Sequence, residues 1–237
     1  NATLSRIDEL TRFDPETEEF TRYLHDSDDP GSISGNKVWT IYEDSSGSLW
    51  VGTDDGGVNR LIAGEERFVN FRADPGDRAS LPDNSVSAIY EDASGVLWIG
   101  TAGGLSRLDR RTWTFRNYSH EPDDHRSLNH NEVYAIFEDH EGRLWIGTNG
   151  GGINILDRET GKFTHYMHDP NDPRSLCDDQ VNTIYEDGAG IVWIGTYGGG
   201  ISKFDSNRKK FALYRHDPND PNSLSDDAVW TIHEDEE

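Results

Sequence analysis

The sequence predicts an all-β protein: a β-propeller of four-stranded antiparallel blades, with about five repeat units present as an incomplete part of a larger propeller. Three observations predict it. A short tryptophan-bearing segment recurs at near-constant spacing, the strands around it are apolar on both faces, and the composition is that of many short strands joined by polar turns.

The segment Leu49-Trp50-Val51-Gly52-Thr53 recurs at Leu97 to Thr101, at Leu144 to Thr148 and as Val192 to Thr196. Its tryptophans, Trp50, Trp98, Trp145 and Trp193, are 48, 47 and 48 residues apart. An acidic-ended strand precedes each: Val38 to Asp44, Val86 to Asp92, Val133 to Asp139 and Val181 to Asp187, with a fifth at Val229 to Asp235. After each Gly-Thr comes a glycine-rich turn, a strand such as Leu105 to Asp109, and a last strand such as Phe163 to Tyr166. Named a, b, c and d, these strands are rich in β-branched and aromatic residues and bounded by Gly, Asp, Asn or Pro.

Apolar side chains occupy both faces of a strand, as Val38 with Ile41 and Leu49 with Trp50 show. Such sheets need cover on each side, and repeats of under about 50 residues supply it by stacking radially. The repeat units run approximately 1–53, 54–101, 102–148, 149–196 and 197–237, the last lacking its b strand. At the other end, Leu4 to Asp8 reads as strand c and Phe20 to Tyr23 as strand d, so the sequence opens within a blade. The expectation is a piece of a larger ring, the alternative being completion in trans by a second chain through exposed terminal edges.

Of 237 residues 33% are hydrophobic and 11% aromatic, with 24 Gly and 9 Pro, which suits short strands and excludes disorder. The formal net charge of -23 repels phosphate backbones, leaving nucleic acid a poor partner and neutral ligands or cations better ones. A single cysteine, Cys177, in a polar loop, excludes an intrachain disulfide and a multi-cysteine zinc site. No apolar stretch approaches the roughly 18 residues of a membrane span.

The pattern Asn-x-Val-x-x-Ile-x-Glu-Asp, Gly-x-Leu-Trp-Ile-Gly-Thr and then a Gly-Gly turn into strand c stands complete at Asn131 to Asp139, Gly142 to Thr148 and Gly151 to Asp157. It resembles the two-component regulator propeller repeat, and the likeness runs essentially end to end. That resemblance implies a periplasmic or extracellular sensor region of a hybrid histidine kinase, commonly seven-bladed, sensing oligosaccharides. Neither kinase, receiver nor membrane segment is recognisable in these residues.

Strands alternate direction, so d to a and b to c connections share one face of the propeller, which carries the long acidic loops and the Gly-Gly turns. Two columns there vary between repeats. Early in strand a stand Trp39, Ser87, Tyr134, Asn182 and Trp230; after Gly-Thr stand Asp54, Ala102, Asn149 and Tyr197. Flat apolar rings beside amides and carboxylates suit a sugar, whose rings stack and whose hydroxyls hydrogen-bond. The plainer alternative is that these side chains fill space between blades.

Asp169 with Asp172, and Asp217 with Asp220, offer oxygens to calcium, although Asp and Pro at these spacings more simply cap turns. No cofactor is otherwise expected. Glu43, Glu91, Glu138, Glu186 and Glu234 recur too regularly for a catalytic pair, and a strand-end role is expected. His165, His216 and His233 read as surface or interblade residues. No nucleophile elbow, zinc helix or phosphate-cradling loop appears, so a binding module is favoured over a lyase or hydrolase, with protein assembly as the second reading.

Overall fold

The computed structural model describes residues 9–205 and 210–234. Among the described residues there are strands and no helix. Strands β1 (Leu10–Asp14) and β2 (Glu19–Tyr23) form a two-stranded sheet. Four sheets of four strands follow, each in simple sequence order. The first comprises β3 (Val38–Glu43), β4 (Leu49–Thr53), β5 (Val58–Ile62) and β6 (Arg67–Phe71). The second comprises β7 (Val86–Glu91), β8 (Leu97–Thr101), β9 (Gly104–Asp109) and β10 (Thr114–Tyr118). The third is β11 (Val133–Glu138), β12 (Leu144–Thr148), β13 (Ile153–Asp157) and β14 (Lys162–Tyr166); the fourth is β15 (Val181–Glu186), β16 (Val192–Thr196), β17 (Ile201–Asp205) and β18 (Lys210–Tyr214). The chain divides into two compact units, Asn1–Asn117 and Tyr118–Glu237, with sheets β3 to β10 in the first and β11 to β18 in the second.

Each residue of the repeated motif has a separate physical task. Asp44, Asp92, Asp139 and Asp187 sit just past strand a, and the second carboxylate oxygen of each accepts the indole N–H of the blade's tryptophan at 2.7–2.8 Å. The first oxygen accepts the backbone N–H groups two and four residues on, closing the a to b turn. That turn passes through a left-handed glycine, φ near 77° at Gly47 and Gly95, which a side chain adopts only under strain. The hydroxyls of Thr53, Thr101, Thr148 and Thr196 donate to the carbonyl that opens strand c. The motif glycine serves packing instead: a Cβ on Gly52 would lie 2.7 Å from Val86 Cγ1, and one on Gly147 2.5 Å from Val181 Cγ1. Sheets therefore approach face to face where strand b of one meets strand a of the next.

That stacking builds the cores. In the first unit Trp50 and Val58 pack with Val86, Ile89, Leu108 and Phe115; in the second Trp145 and Ile153 pack with Val181, Ile194, Phe204 and Phe211. Three of the five recurrent glutamates are interblade latches. Glu91 accepts the Ser45 N–H at 2.6 Å, Glu186 the His140 N–H at 2.8 Å and Glu234 the Gly188 N–H at 3.1 Å.

Two sequence expectations about strands are corrected. The first strand c lies at Leu10–Asp14, whereas Leu4 to Asp8 falls outside the described residues. The segments Leu-Ser-Arg-Ile-Asp and Leu-Thr-Arg-Phe-Asp are near copies, and turn length decides between them. Four residues separate strand c from strand d here as in β9 to β10 and β13 to β14. The fifth strand a is the other correction. Val229 to Glu234 joins no ladder, because the described residues hold no strand b for it. It still packs as a strand a: Val229 N–H donates to the Thr196 carbonyl, and its side chain seats against Gly195.

Candidate functional site

The two variable columns meet in every blade. Val38 faces Thr53 while Thr40 faces Gly52, so Trp39 is the extra residue of a bulge; Ser87, Tyr134 and Asn182 occupy the same bulge in β7, β11 and β15. A bulge re-aims a side chain at a strand end and is a common device beside binding sites. The residue after Gly-Thr is then held against the segment just before strand a. Asp54, Ala102, Asn149 and Tyr197 donate their backbone N–H groups to the carbonyls of Lys37, Ser85, Glu132 and Gln180 at 2.9–3.0 Å.

In the second unit these clamps line up into one polar and aromatic row. Tyr134 O–H donates to Glu132 at 3.3 Å, and Asn149 Nδ2 donates to Glu132 at 2.5 Å and to the Tyr134 hydroxyl at 3.2 Å. Gln180 Nε2 donates to Asn149 Oδ1 at 2.8 Å. Its carbonyl holds Tyr197, whose ring meets Trp230 edge to face at 5.6 Å and 86°. Tyr197 is 52% and Trp230 49% exposed, so both rings present free faces. Burial, and then the charge of Glu132, push the Tyr134 hydroxyl above the usual tyrosine range and keep it a neutral donor. Asn182 departs from the row: it is 5% exposed and donates to the Val229 carbonyl at 3.1 Å, so its amide serves packing.

The first unit offers less. Asp54 pairs with Lys37 at 3.6 Å, Ser87 makes a long 3.4 Å bond to the Gly100 carbonyl, and Ala102 carries no functional group. The Trp39 indole N–H is buried without a partner. The first unit also has a hollow of about 620 Å³ lined by Tyr23, His25, Asp26, Asp29, Ile33 and Phe68, away from both columns.

Sequence reasoning missed Glu132 and Gln180. Both stand two residues before the bulge, in a column reading Lys37, Ser85, Glu132, Gln180 and Ala228. That column varies as much as the two chosen, so the same criterion applied one step earlier finds it. The aspartates of the acidic loops cap turns. Asp169, Asp172, Asp217 and Asp220 each accept the backbone N–H two residues on at 2.9–3.0 Å. Asp172 also holds Lys210, and its carboxyl lies at about 2, lowered mainly by the Arg174 N–H and Lys210. Among the described residues no cluster of His, Cys, Asp or Glu is arranged to hold a metal.

Five histidines fasten loops. His216 Nδ1 bonds the Leu224 carbonyl at 2.6 Å, as His25, His120 and His168 do in their own loops, and His165 Nε2 bonds the Ser127 carbonyl. His233 is exposed. Cys177 is buried within its loop, 3% exposed, with its sulfur 3.4 Å from Thr196 Oγ1.

Comparison with known proteins agrees with the motif. The family model described as two component regulator propeller matches residues 32–55, 80–103, 127–150 and 175–198. Four segments of the chain are similar to the two-component regulator propeller repeat. Each match spans a d to a loop, strands a and b, and the clamp residue, which is the stretch that carries both candidate columns. The chain is similar to the extracellular domain of BT3049, assigned to a hybrid two-component system of B. thetaiotaomicron. That likeness has 24% identity and a TM-score of 0.75, and covers 98% of this chain and 29% of that one. For the extracellular domain of BT4673 from the same organism the values are 23% identity, TM-score 0.60, 87% of this chain and 35% of that one. Virginiamycin B lyase from Staphylococcus aureus is similar at 16% identity and TM-score 0.63, over 90% of this chain and 64% of that one. These likenesses establish the propeller fold. No curated protein sequence matches. No helix among the described residues is long and apolar enough to cross a membrane.

Proposed function

We propose that this chain is the ligand-binding part of an extracytoplasmic sensor, periplasmic or extracellular, and that it binds a neutral oligosaccharide without chemical turnover. The observation that carries the reading is the second unit's row: Tyr197 and Trp230, each half exposed and set edge to face, beside the hydrogen-bonded set Tyr134, Glu132, Asn149 and Gln180. Exposed rings packed against one another give the apolar faces of pyranose rings a platform at little entropic cost. The amides, phenol and carboxylate beside them offer both donors and acceptors for hydroxyl groups. A net charge of -23 disfavours anionic ligands. Repeats shared with two-component regulators, and the likeness to extracellular domains of such systems, support the sensor setting.

Calorimetry against a panel of neutral plant and algal oligosaccharides tests this. Micromolar binding is expected, weakened about tenfold or more by Trp230→Ala and by Tyr197→Ala, and left unchanged by Trp113→Ala in the first unit. Absence of binding across the panel, or binding indifferent to both substitutions, would overturn the reading.

A further inference from the structure

The second sheet carries a basic hollow that its fold does not require. The hollow measures about 540 Å³, and every residue lining it belongs to the first unit. Four arginines line it, Arg107, Arg110, Arg111 and Arg116, above an apolar floor of Leu108 and Phe115, which are 3% and 6% exposed. Its volume falls within the roughly 300–1,000 Å³ of small-molecule sites. Residues 107–116 hold these four arginines against one carboxylate, Asp109, a net of +3 in a chain of -23.

Two of those charges serve the fold. Arg110 pairs through Nη1 with Asp44 at 3.1 Å and through Nη2 with Glu91 at 2.7 Å, and its counterpart Arg158 pairs with Glu138 at 2.6 Å. Asp109 accepts the Arg111 N–H at 2.8 Å and the Thr112 N–H at 3.4 Å, the turn bonds that Asp14 and Asp157 make in their own sheets. The other three arginines are exposed, and no other sheet has the set. At their positions the first sheet has Arg60, Gly64 and Val69, and the third Ile155, Glu159 and Thr164. Arg107 and Arg111 make no ion pair and no side-chain hydrogen bond among the described residues.

Their placement is unfavourable in the free protein. Arg60 pairs with Val69, Ile155 with Thr164 and Lys203 with Ala212 across strands c and d. The same register sets Arg107 opposite Arg116 on the neighbouring strands β9 and β10. Like charges directly opposite in a sheet repel and cost stability. A local rule broken where the fold gains nothing marks a site of function. Planar guanidinium forks around one hollow match the oxygens of carboxylate or sulfate groups. The acidic remainder of the chain does not cancel this, because salt screens charges beyond about 8 Å and leaves the nearest groups in control.

We propose that the hollow binds a small organic anion carrying two or more carboxylate or sulfate groups, held by Arg107, Arg111 and Arg116 with its carbon framework over Leu108 and Phe115. This site is separate from the row of the second unit and takes a ligand of opposite preference.

Calorimetry on the 237-residue chain at low salt tests the proposal with trigalacturonate, sucrose octasulfate and citrate as anions and maltotriose as the neutral control. At least one anion should bind in the micromolar range, about tenfold or more tighter than maltotriose, and should weaken as salt rises. Arg107→Gln and Arg116→Gln should each lower that affinity about tenfold, and together abolish it. Without ligand, Arg107→Gln should melt no lower than wild type, since it relieves the like-charge pair, whereas a structural role would lower its melting temperature. Trp230→Ala should leave anion binding unchanged, so this result stands or falls apart from the neutral-sugar reading. The preferred anion names the source: a lead for trigalacturonate points to acidic sugars, for sucrose octasulfate to sulfated ones, and for citrate to small carboxylic acids. Binding of none of the three anions, or binding that survives the double substitution, would overturn the proposal.

Discussion

Sheets β11–β14 and β15–β18 share the repeated motif and fold the same way, yet their tryptophans live in different surroundings. Trp145 and Trp193 have the same registers to strands a and c and the same 2.7–2.8 Å bond to an aspartate. Trp145 is fully buried beneath the sheet that follows it, while Trp193 keeps part of its ring in solvent. The motif therefore specifies the sheet, and the neighbour specifies how much of the motif's apolar content is used. A repeat protein divides its stability in this way, between terms internal to a repeat and terms at each interface.

The largest test of that division removes the ring in both places. Trp145→Ala should cost about 3–5 kcal/mol in urea unfolding, and Trp193→Ala about half as much, because less surface returns to water and a smaller cavity is left. Equal losses would mean that the tryptophan acts through its aspartate bond alone.

Removing the aspartate instead should narrow the difference between the two sheets. Asp139→Ala and Asp187→Ala each orphan an indole N–H and the two turn N–H groups that bond the same carboxylate, so each should cost about 3 kcal/mol, with the partly exposed Arg143 ion pair adding at most about 1 kcal/mol at Asp139. Thermal unfolding of the two variants side by side checks this, and a gap between them as wide as that between the tryptophan variants would show that neighbours govern the turn as well.

The strand order, the a to b turn and the interblade role of the apolar faces were legible in the sequence because each is a local consequence of residue type repeated four times. Repetition failed where two copies competed, as at Leu4 to Asp8 against Leu10–Asp14, and turn length was the better guide. The candidate site was legible in part. Column variation found Tyr134, Asn149, Tyr197 and Trp230, which the structure sets in one row, and it also picked Asn182, whose burial under Val229 depends on a neighbouring segment that no single column reveals. Glu132 and Gln180 escaped because their column, although it varies as much as the two chosen, carries no aromatic residue to draw the eye to a sugar platform.

Acid sharpens the comparison by acting on the aspartates without altering the sequence. Burial acts to raise the Asp44 carboxyl, but hydrogen bonds from Ser46, Trp50 and the Ser48 N–H, with Arg110 beside it, outweigh that and hold it at about 2, below the ordinary 3.8. A lowered folded-state value means stability present above the unfolded value and lost as pH falls from about 4 towards 2, worth about 2 kcal/mol in all. Unfolding of wild type and Asp44→Asn at pH about 5 and about 2.5 measures it: the difference between them should shrink at the lower pH. A constant difference would place the value of the bond in geometry rather than charge.

The smallest effect separates two interblade latches that differ in what else meets the carboxylate, the Arg110 guanidinium at 2.7 Å for Glu91 and an imidazole for Glu186. Glu91 and Glu186 both accept a turn N–H from the preceding sheet, but only at Glu186 does an imidazole join, His140 Nδ1 lying 2.5 Å from the carboxylate. The hydrogen bond to Glu186, and then its charge, raise the His140 pKa above 6.5, with Glu141 and Asp139 adding to the same direction. A raised value means that the extra stabilisation is complete below 6.5 and fades as pH climbs through the folded-state value. Proton NMR titration of the His140 ring should therefore show a midpoint above that of an unstructured histidine, falling back towards 6.5 in Glu186→Gln. Because the His140 N–H can still bond the amide oxygen of that variant, an unchanged midpoint would mean that the ring gains nothing from the latch and that the backbone bond alone joins the two sheets there.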